Sequence, residues 1–118
     1  MSDIRRPDET DALTAAPGFH RLILENDAVR VLQTMIPPGQ TVPPHTHCWP
    51  GVNTFLSWSD FIRRDGQGEI TLDTSASGVH FLPGESAWSG PLPLHTLENV
   101  GEQPLHVVTV EIKNNRVE

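Results

Sequence analysis

Apolar and polar residues alternate in short stretches along most of the chain, and turn residues separate the stretches. Alternation with a period of two is typical of strands that bury one face, whereas no stretch shows the longer period of an extended helix. The predicted strands cover residues 19–24, 28–35, 52–55, 60–64, 69–73, 79–82, 94–100 and 105–112. Counting less regular pieces, the pattern predicts eight to ten short strands in an all-β sandwich or barrel.

Proline and glycine mark the connections between these strands. The chain has 11 prolines and 9 glycines, which interrupt helices and supply turns. The segment Asp65-Gly66-Gln67-Gly68 predicts a hairpin between two strands. Residues 74–78 are small and polar, and predict a loop.

The first seventeen residues differ from the rest. They are polar and acidic and end just before Gly18, with one short helical turn expected at Ala12-Leu13 that Pro17 would stop. We therefore predict an N-terminal arm over residues 1–17 and a single β domain over residues 18–118. A chain of 118 residues is long enough for one core of this kind.

Charge and cysteine content exclude several classes of partner. Eight basic against 15 acidic residues give a formal net charge of −7, which disfavours nucleic-acid and membrane-surface partners. The N-terminal charges are not followed by the apolar stretch of a secretory signal, and the lone Cys48 cannot form an internal disulfide. The expectation is a soluble, cytoplasmic protein with no nucleic-acid and no membrane partner.

The histidines are the main candidates for chemistry. His45 and His47 flank one residue, so on a strand both imidazoles would project from the same face. Two adjacent imidazoles are half of a site for zinc, iron, nickel, copper or manganese. Taken alone, the pair fits a surface strand with two solvated histidines better.

Two longer patterns contain these histidines. Gly39 stands six residues before His45, in the pattern G-x5-H-x-H, and about fifty residues later His95 and Asn99 form H-x3-N downstream of a Pro-Gly turn. These patterns resemble the two motifs of the cupin superfamily, over roughly residues 29–112. The segments from His45 to Gly51 and from Trp88 to Asn99 also look like a group of small uncharacterised bacterial cupins.

The resemblance implies a fold and a metal site. Cupins are double-stranded β-helices, or jelly-roll β-barrels, which agrees with the all-β prediction. Carried over residue by residue, the resemblance implies His45, His47 and His95 as ligands of one divalent transition metal, with iron, zinc, nickel and manganese as candidates. It implies no particular reaction.

The sequence departs from the cupin motifs in two places. The glutamate that usually follows the histidine pair would fall at Gly51 or Val52, and Asn53, one residue beyond, is a poor substitute. In the second motif, ten residues instead of two separate Gly84 from His95. The sequence therefore predicts a three-histidine site, with a pocket to which Trp49, Asn53, Trp88 and His106 are candidates to contribute.

Several of these residues have a structural alternative. Trp49 and Trp88 either cap the ends of the barrel or form a wall of the pocket. His106 is expected on the apolar side of its strand, as a hydrogen-bonded core histidine or as a pocket residue. Cys48 should point away from the face of His47 as a structural cysteine. His20 is assigned to solvent, and the sequence does not locate Glu98 or Glu111. Arg63 and Arg64 are strand neighbours, so at most one enters the barrel, and a solvated hairpin end is favoured for both.

The sequence thus predicts a metal-binding cupin that acts on or binds a small organic molecule, with catalytic residues unknown. Small-molecule dioxygenation ranks above isomerisation or lyase chemistry, because a three-histidine site suits iron. The alternative is a non-enzymatic binding or sensing cupin with a degenerate metal site, which the missing glutamate favours. Because small jelly rolls have exposed strand edges, we also predict a homodimer, with residues 1–24 exchanged between subunits.

Overall fold

The computed structural model describes residues 5–113, which are mostly strand. In this range the chain forms nine strands and two one-turn helices. In chain order these are α1 (Ala12–Ala15), β1 (His20–Glu25), β2 (Val29–Ile36), β3 (Thr41–His47), β4 (Gly51–Ser57), β5 (Phe61–Asp65), β6 (Ile70–Asp73), α2 (Thr74–Ser77), β7 (Ser86–Ser89), β8 (Leu92–Asn99) and β9 (Leu105–Ile112). The all-β prediction is confirmed.

The strands form two antiparallel sheets. One has five strands in the order β1-β2-β9-β4-β7, and the other has four in the order β3-β8-β5-β6. Consecutive strands β2, β3 and β4 alternate between the sheets, as a jelly-roll fold requires. Over residues 5–113 no ladder of hydrogen bonds joins one sheet to the other, so the predicted barrel is not closed.

The hydrophobic core lies between the two sheets and draws on both. Its buried members are Ala16, Ile36, Val42, Phe55, Phe61, Leu105 and Val107. On β9 the residues Leu105, Val107 and Glu111 are buried while the alternate residues are only partly so. This alternation points one face of β9 at the core and gives the strand, predicted at residues 105–112, its single register.

The predicted hairpin at Asp65 is also confirmed. Gly68 has a φ of 84°, a conformation that favours glycine, and its amide donates to the Asp65 carbonyl at 3.0 Å. The Asp65 carboxylate accepts from the amides of Gln67 and Glu69. These local bonds turn β5 into β6.

Two predictions between residues 74 and 89 are wrong. Residues 74–78 are not all loop, because Asp73 caps a helical turn and Gly78, at φ 76°, ends it. Residues 79–82 are not a strand, since Phe81 stacks on Phe55 with ring centroids 4.8 Å apart while the backbone around it joins neither sheet. The strand in this region is instead β7, which pairs with β4.

The N-terminal segment packs against the sheets. The expected helical turn is confirmed as α1, whose N-cap Asp11 accepts from the Leu13 amide. Asp11, Ala12 and Ala16 are at most 1% exposed, and the Thr46 amide of β3 donates to the Thr10 carbonyl at 2.8 Å. The domain boundary at residue 17 stays a prediction, and residues 1–4 of the arm lie outside the described residues.

Within residues 5–113 no helix has the length and apolar character needed to cross a bilayer.

Candidate metal centre

Four histidines from three strands meet between the sheets. His20 begins β1, His45 and His47 lie on β3, and His95 lies on β8. His45 and His95 are direct partners in the β3–β8 ladder, and their ring centroids are 4.2 Å apart. The distance between ring centroids is 4.9 Å for His20 and His45, 5.1 Å for His45 and His47, and 5.5 Å for His47 and His95.

The structure therefore brings together the three histidines that the sequence singled out. One ligand atom each from His20, His45 and His47 can be chosen so that all three lie within 4.8 Å of one another. His95 is not in this set of three, but its ring lies beside those of His45 and His47 from the neighbouring strand.

His20 was assigned to solvent from the sequence, and that assignment is wrong. The residue is 7% exposed, and its Nδ1 lies 3.0 Å from the Ala16 carbonyl just after α1. It faces the histidines of β3 because the N-terminal segment packs on that strand. No local pattern marked it, since the rest of β1 is exposed and the contact is with a strand more than twenty residues away.

Each of the four imidazoles uses its Nδ1 in a hydrogen bond. Nδ1 of His45 lies 2.8 Å from the Pro43 carbonyl, and Nδ1 of His95 lies 2.8 Å from the Pro93 carbonyl, in the same i to i−2 arrangement. Nδ1 of His47 lies 3.1 Å from Oε2 of Glu111. Because a carbonyl or carboxylate oxygen can only accept, Nδ1 carries the hydrogen, and in the neutral form of each ring the lone pair is on Nε2.

Burial keeps three of these rings neutral. Loss of solvation lowers the pKa of His20 to about 4, of His45 to about 3 and of His95 to about 4. Neighbouring histidines lower the pKa values further, because two imidazolium charges would repel each other. Neutral imidazoles with a bare Nε2 are the form in which histidine binds metals.

A buried ionic network supports the cluster. Glu111, 1% exposed, accepts from Nε of Arg30 at 2.6 Å as well as from His47. Arg30 in turn donates to both carboxylate oxygens of Asp11, at 2.8 and 3.1 Å. The location of Glu111 could not be predicted from the sequence, because only the β2–β9 pairing sets Arg30 opposite Glu111.

Of the two positions where the cupin pattern would place a glutamate, Gly51 has no room for a side chain unless its neighbours shift. A Cβ on Gly51 would lie 2.8 Å from the Val110 carbonyl oxygen and 3.1 Å from Cγ2 of Thr109, because β4 packs closely on β9. Asn53 does line the cavity, where its Oδ1 accepts from Oγ1 of Thr109 at 2.6 Å.

The histidines line a cavity of about 120 Å³ between the sheets. Trp49 is in its wall, 4% exposed, with Nε1 donating to the Arg5 carbonyl at 3.1 Å and the Arg30 guanidinium 5.1 Å from the ring centroid. Trp88 is 64% exposed on β7 and is not among the cavity residues.

His106 also lies away from the cavity, half-buried, with Nε2 2.7 Å from Nε2 of Gln33. His106 shares its face of β9 with Val108, Val110 and Ile112 as expected, but that face is not the core side, since Leu105, Val107 and Glu111 are the buried residues. Cys48 is half-buried as expected, and burial raises the pKa of its thiol to about 11.

The two arginines of β5 have different surroundings. Arg64 donates to Glu98 at 2.9 Å with both side chains about one-third exposed, as on a solvated strand. Arg63 lines the cavity, so its assignment to solvent is wrong. Because strand neighbours face opposite sides, only one of the two can do so.

These residues fit a transition metal. The cavity offers uncharged nitrogen donors whose orientation is set by acceptors on the far side of each ring, which is the usual support of metal-binding histidines. Nitrogen donors select zinc, iron, nickel, copper or manganese over calcium and magnesium, which prefer oxygen.

No known family model matches the sequence, and no curated protein matches it. Solved structures do match. A cupin domain from Bordetella pertussis is 20% identical, with a TM-score of 0.65 over 95% of this chain and 100% of that one. A double-stranded β-helix protein from Klebsiella pneumoniae is 22% identical, with a TM-score of 0.52 over 82% of this chain and 72% of the other.

A third match is a cupin superfamily protein from Desulfitobacterium hafniense, 8% identical, with a TM-score of 0.52 over 80% of this chain and 76% of that one. At such identities the likeness concerns the fold, and it agrees with the two-sheet topology and with the motif resemblance around His45 and His95. The chain therefore has the double-stranded β-helix fold of these small cupin structures.

Proposed function

We propose that this protein binds one divalent transition metal through the Nε2 atoms of His20, His45, His47 and His95. The observation that carries the proposal is the hydrogen bonding of the rings: each Nδ1 is engaged by a carbonyl or carboxylate oxygen, which leaves Nε2 of each ring as the atom available to a shared metal. The set predicted from the sequence contained three of these histidines, and His20 extends it.

The residues around the cavity define what such a centre would do. A metal bound there supplies Lewis-acid chemistry and, if it is iron, reactivity toward dioxygen. Glu111 and the three backbone carbonyls hold the imidazoles in orientation. The cavity volume of about 120 Å³ has room for about four water molecules at about 30 Å³ each, which limits the guest to a small organic molecule.

We propose oxidation of such a molecule by dioxygen as the first reaction to test, since an all-histidine centre suits iron. A non-enzymatic binding or sensing role is the second candidate. One observation favours it: Glu111, the carboxylate nearest the histidines, is engaged on both oxygens by Arg30 and His47, and so is not free to move a proton.

The metal proposal is tested by elemental analysis of untagged protein. We expect close to one equivalent of one transition metal in the wild type and almost none in His45→Ala/His95→Ala. His20→Ala should also lose metal on dialysis, whereas the control His106→Ala, on the outer side of β9, should keep it. Equal metal content in wild type and the double variant, or none in either after reconstitution, contradicts the proposal.

The two candidate roles separate in an oxygen-electrode assay. With iron-loaded protein and a panel of small organic acids, substrate-dependent oxygen uptake that His95→Ala abolishes supports the enzyme. Ligand binding by calorimetry without any oxygen uptake supports the binding module.

A further inference from the structure

We propose that Arg63 is an anion-binding residue of the cavity, which receives the carboxylate of a small organic acid whose other end lies at the histidines. The inference rests on the proposed function for what lies at that other end. It adds the substrate class, which neither the motifs nor the fold specify.

The strand register places Arg63 beside the histidine cluster. β5 pairs with β8, with Arg63 opposite Leu97 and Asp65 opposite His95. Arg63 therefore lies one strand away from His95 and two residues along, and both side chains line the same cavity. Burial is the main reason why the pKa of His95 is lowered, and the positive charge of Arg63 is among the further causes.

Arg63 differs from the other arginines of the sheets in having no partner. Within residues 5–113 its guanidinium donates no hydrogen bond and forms no ion pair with another side chain. Arg30, by contrast, is bound by Asp11 and Glu111, and Arg64 is bound by Glu98. The only side-chain bond to Arg63 in this range is made to its backbone carbonyl, by Thr71.

The surroundings of Arg63 are unfavourable for an unpaired charge. Val42, Phe61 and Leu97 line the same cavity and are apolar, and burial lowers the pKa of Arg63. A partly buried cation without a counter-ion costs folding free energy, and an anion bound beside Arg63 would offset that cost. The carboxylates of Glu111 and Glu98 are already engaged with other cations.

The chemistry of the group selects a carboxylate. A guanidinium presents a planar fork of N–H donors that matches the two oxygens of a carboxylate. The net charge of −7 repels anions at long range, so a local cation is needed for an acid to enter. Neutral imidazole ligands leave a bound metal its full positive charge. That charge favours a second anionic or polar group at the end of the guest that lies at the histidines.

Calorimetric titration with malonate tests the inference, with its neutral isostere malonamide and inorganic phosphate titrated in parallel. Zinc-loaded wild type is compared with Arg63→Gln, Arg63→Lys and the matched control Arg64→Gln on the same strand. We expect malonate to bind wild type and Arg64→Gln alike and Arg63→Gln at least 10-fold more weakly, with Arg63→Lys intermediate, at unchanged zinc content. Malonamide should bind measurably to none of these four proteins.

Three outcomes overturn the inference: malonate affinity that is the same in wild type and Arg63→Gln, no malonate binding by any variant, or tighter binding of phosphate than of malonate. Repeating the titration on metal-free protein separates this inference from the proposed function. If the protein takes up no metal yet binds malonate in an Arg63-dependent manner, only the metal proposal fails. If the protein binds zinc but its affinity for malonate does not depend on Arg63, only the anion-site proposal fails.

Discussion

Glu111 connects the histidine cluster to the charged interior of the protein. One carboxylate oxygen accepts from Arg30 and the other from His47, so a single side chain fixes the ring of a proposed ligand and is itself held by a cation. Residues that orient a ligand in this way act on metal affinity without touching the metal.

Replacing Glu111 by glutamine keeps the shape but removes the charge that favours Nδ1–H on His47. We expect the dissociation constant for zinc in Glu111→Gln to rise about 10- to 100-fold. Competition with a coloured zinc chelator measures it. Glu98→Gln is the control, since Glu98 pairs with Arg64 at the surface. Equal affinity in wild type and Glu111→Gln would show that His47 is not positioned by this bond.

Gly51 shows how tightly the cavity wall is built. Adding a Cβ places it 2.8 Å from the Val110 carbonyl oxygen, so β4 or β9 must shift. We expect Gly51→Ala to lower the free energy of unfolding by about 1–3 kcal/mol, the usual cost of overpacking. Gly18→Ala, whose Cβ would meet nothing within 4 Å, should leave it nearly unchanged. Urea denaturation compares the two, and similar values would contradict this explanation.

Among the elements, α1 is one turn long, and the Asp11 side chain adds two contacts to the few backbone hydrogen bonds of that turn. Asp11 caps the helix at the Leu13 amide and binds the Arg30 guanidinium of β2. Asp73 caps the equally short α2 but makes no ion pair with another described residue. The two aspartates are therefore a matched pair, alike as caps and different in burial.

Asp11→Ala removes a cap and leaves Arg30 buried with one partner. Cap loss costs about 1 kcal/mol, and breaking a buried ion pair costs about 3–5 kcal/mol. We expect Asp11→Ala to lose at least about 3 kcal/mol of unfolding free energy and Asp73→Ala about 1 kcal/mol. Chemical denaturation of both variants gives the comparison. Losses of equal size would mean that the bond to Arg30 does not anchor α1.

For the molecule as a whole, the homodimer stays a prediction. Edge strand β1 carries Leu22, Ile23 and Leu24, which are 44%, 48% and 51% exposed, as expected for a strand covered by a second subunit. Light scattering should give twice the 13.0 kDa chain mass. Ile23→Lys should shift the mass toward the monomer, whereas Ile70→Lys on β6 should not. A monomeric wild type would contradict the prediction.

The sequence was sufficient wherever local chemistry decides the structure. The hairpin at Asp65 and the turn of α1 each depend on bonds within a few residues, and each is confirmed. The strand predicted at residues 105–112 is confirmed as β9, but its buried face is the one opposite to the face expected. The sequence failed at residues 79–82, because a strand needs a neighbour and Phe81 stacks on Phe55 instead of joining a ladder. Strand β7 was not predicted from the sequence either, because it exists through its pairing with β4.

The sequence by itself determined the all-β class and the placement of His45 and His47 on one strand, since alternation and turn residues act at short range. The cupin fold was implied by the resemblance of the motifs around His45 and His95. The tertiary structure alone decided which other groups meet His45 and His47. The β3–β8 register places His95 opposite His45, the packing of the N-terminal segment brings His20, and the β2–β9 pairing sets Arg30 against Glu111. A site built from separate strands depends on register and packing, and these contacts join residues too far apart in the chain for local patterns to specify.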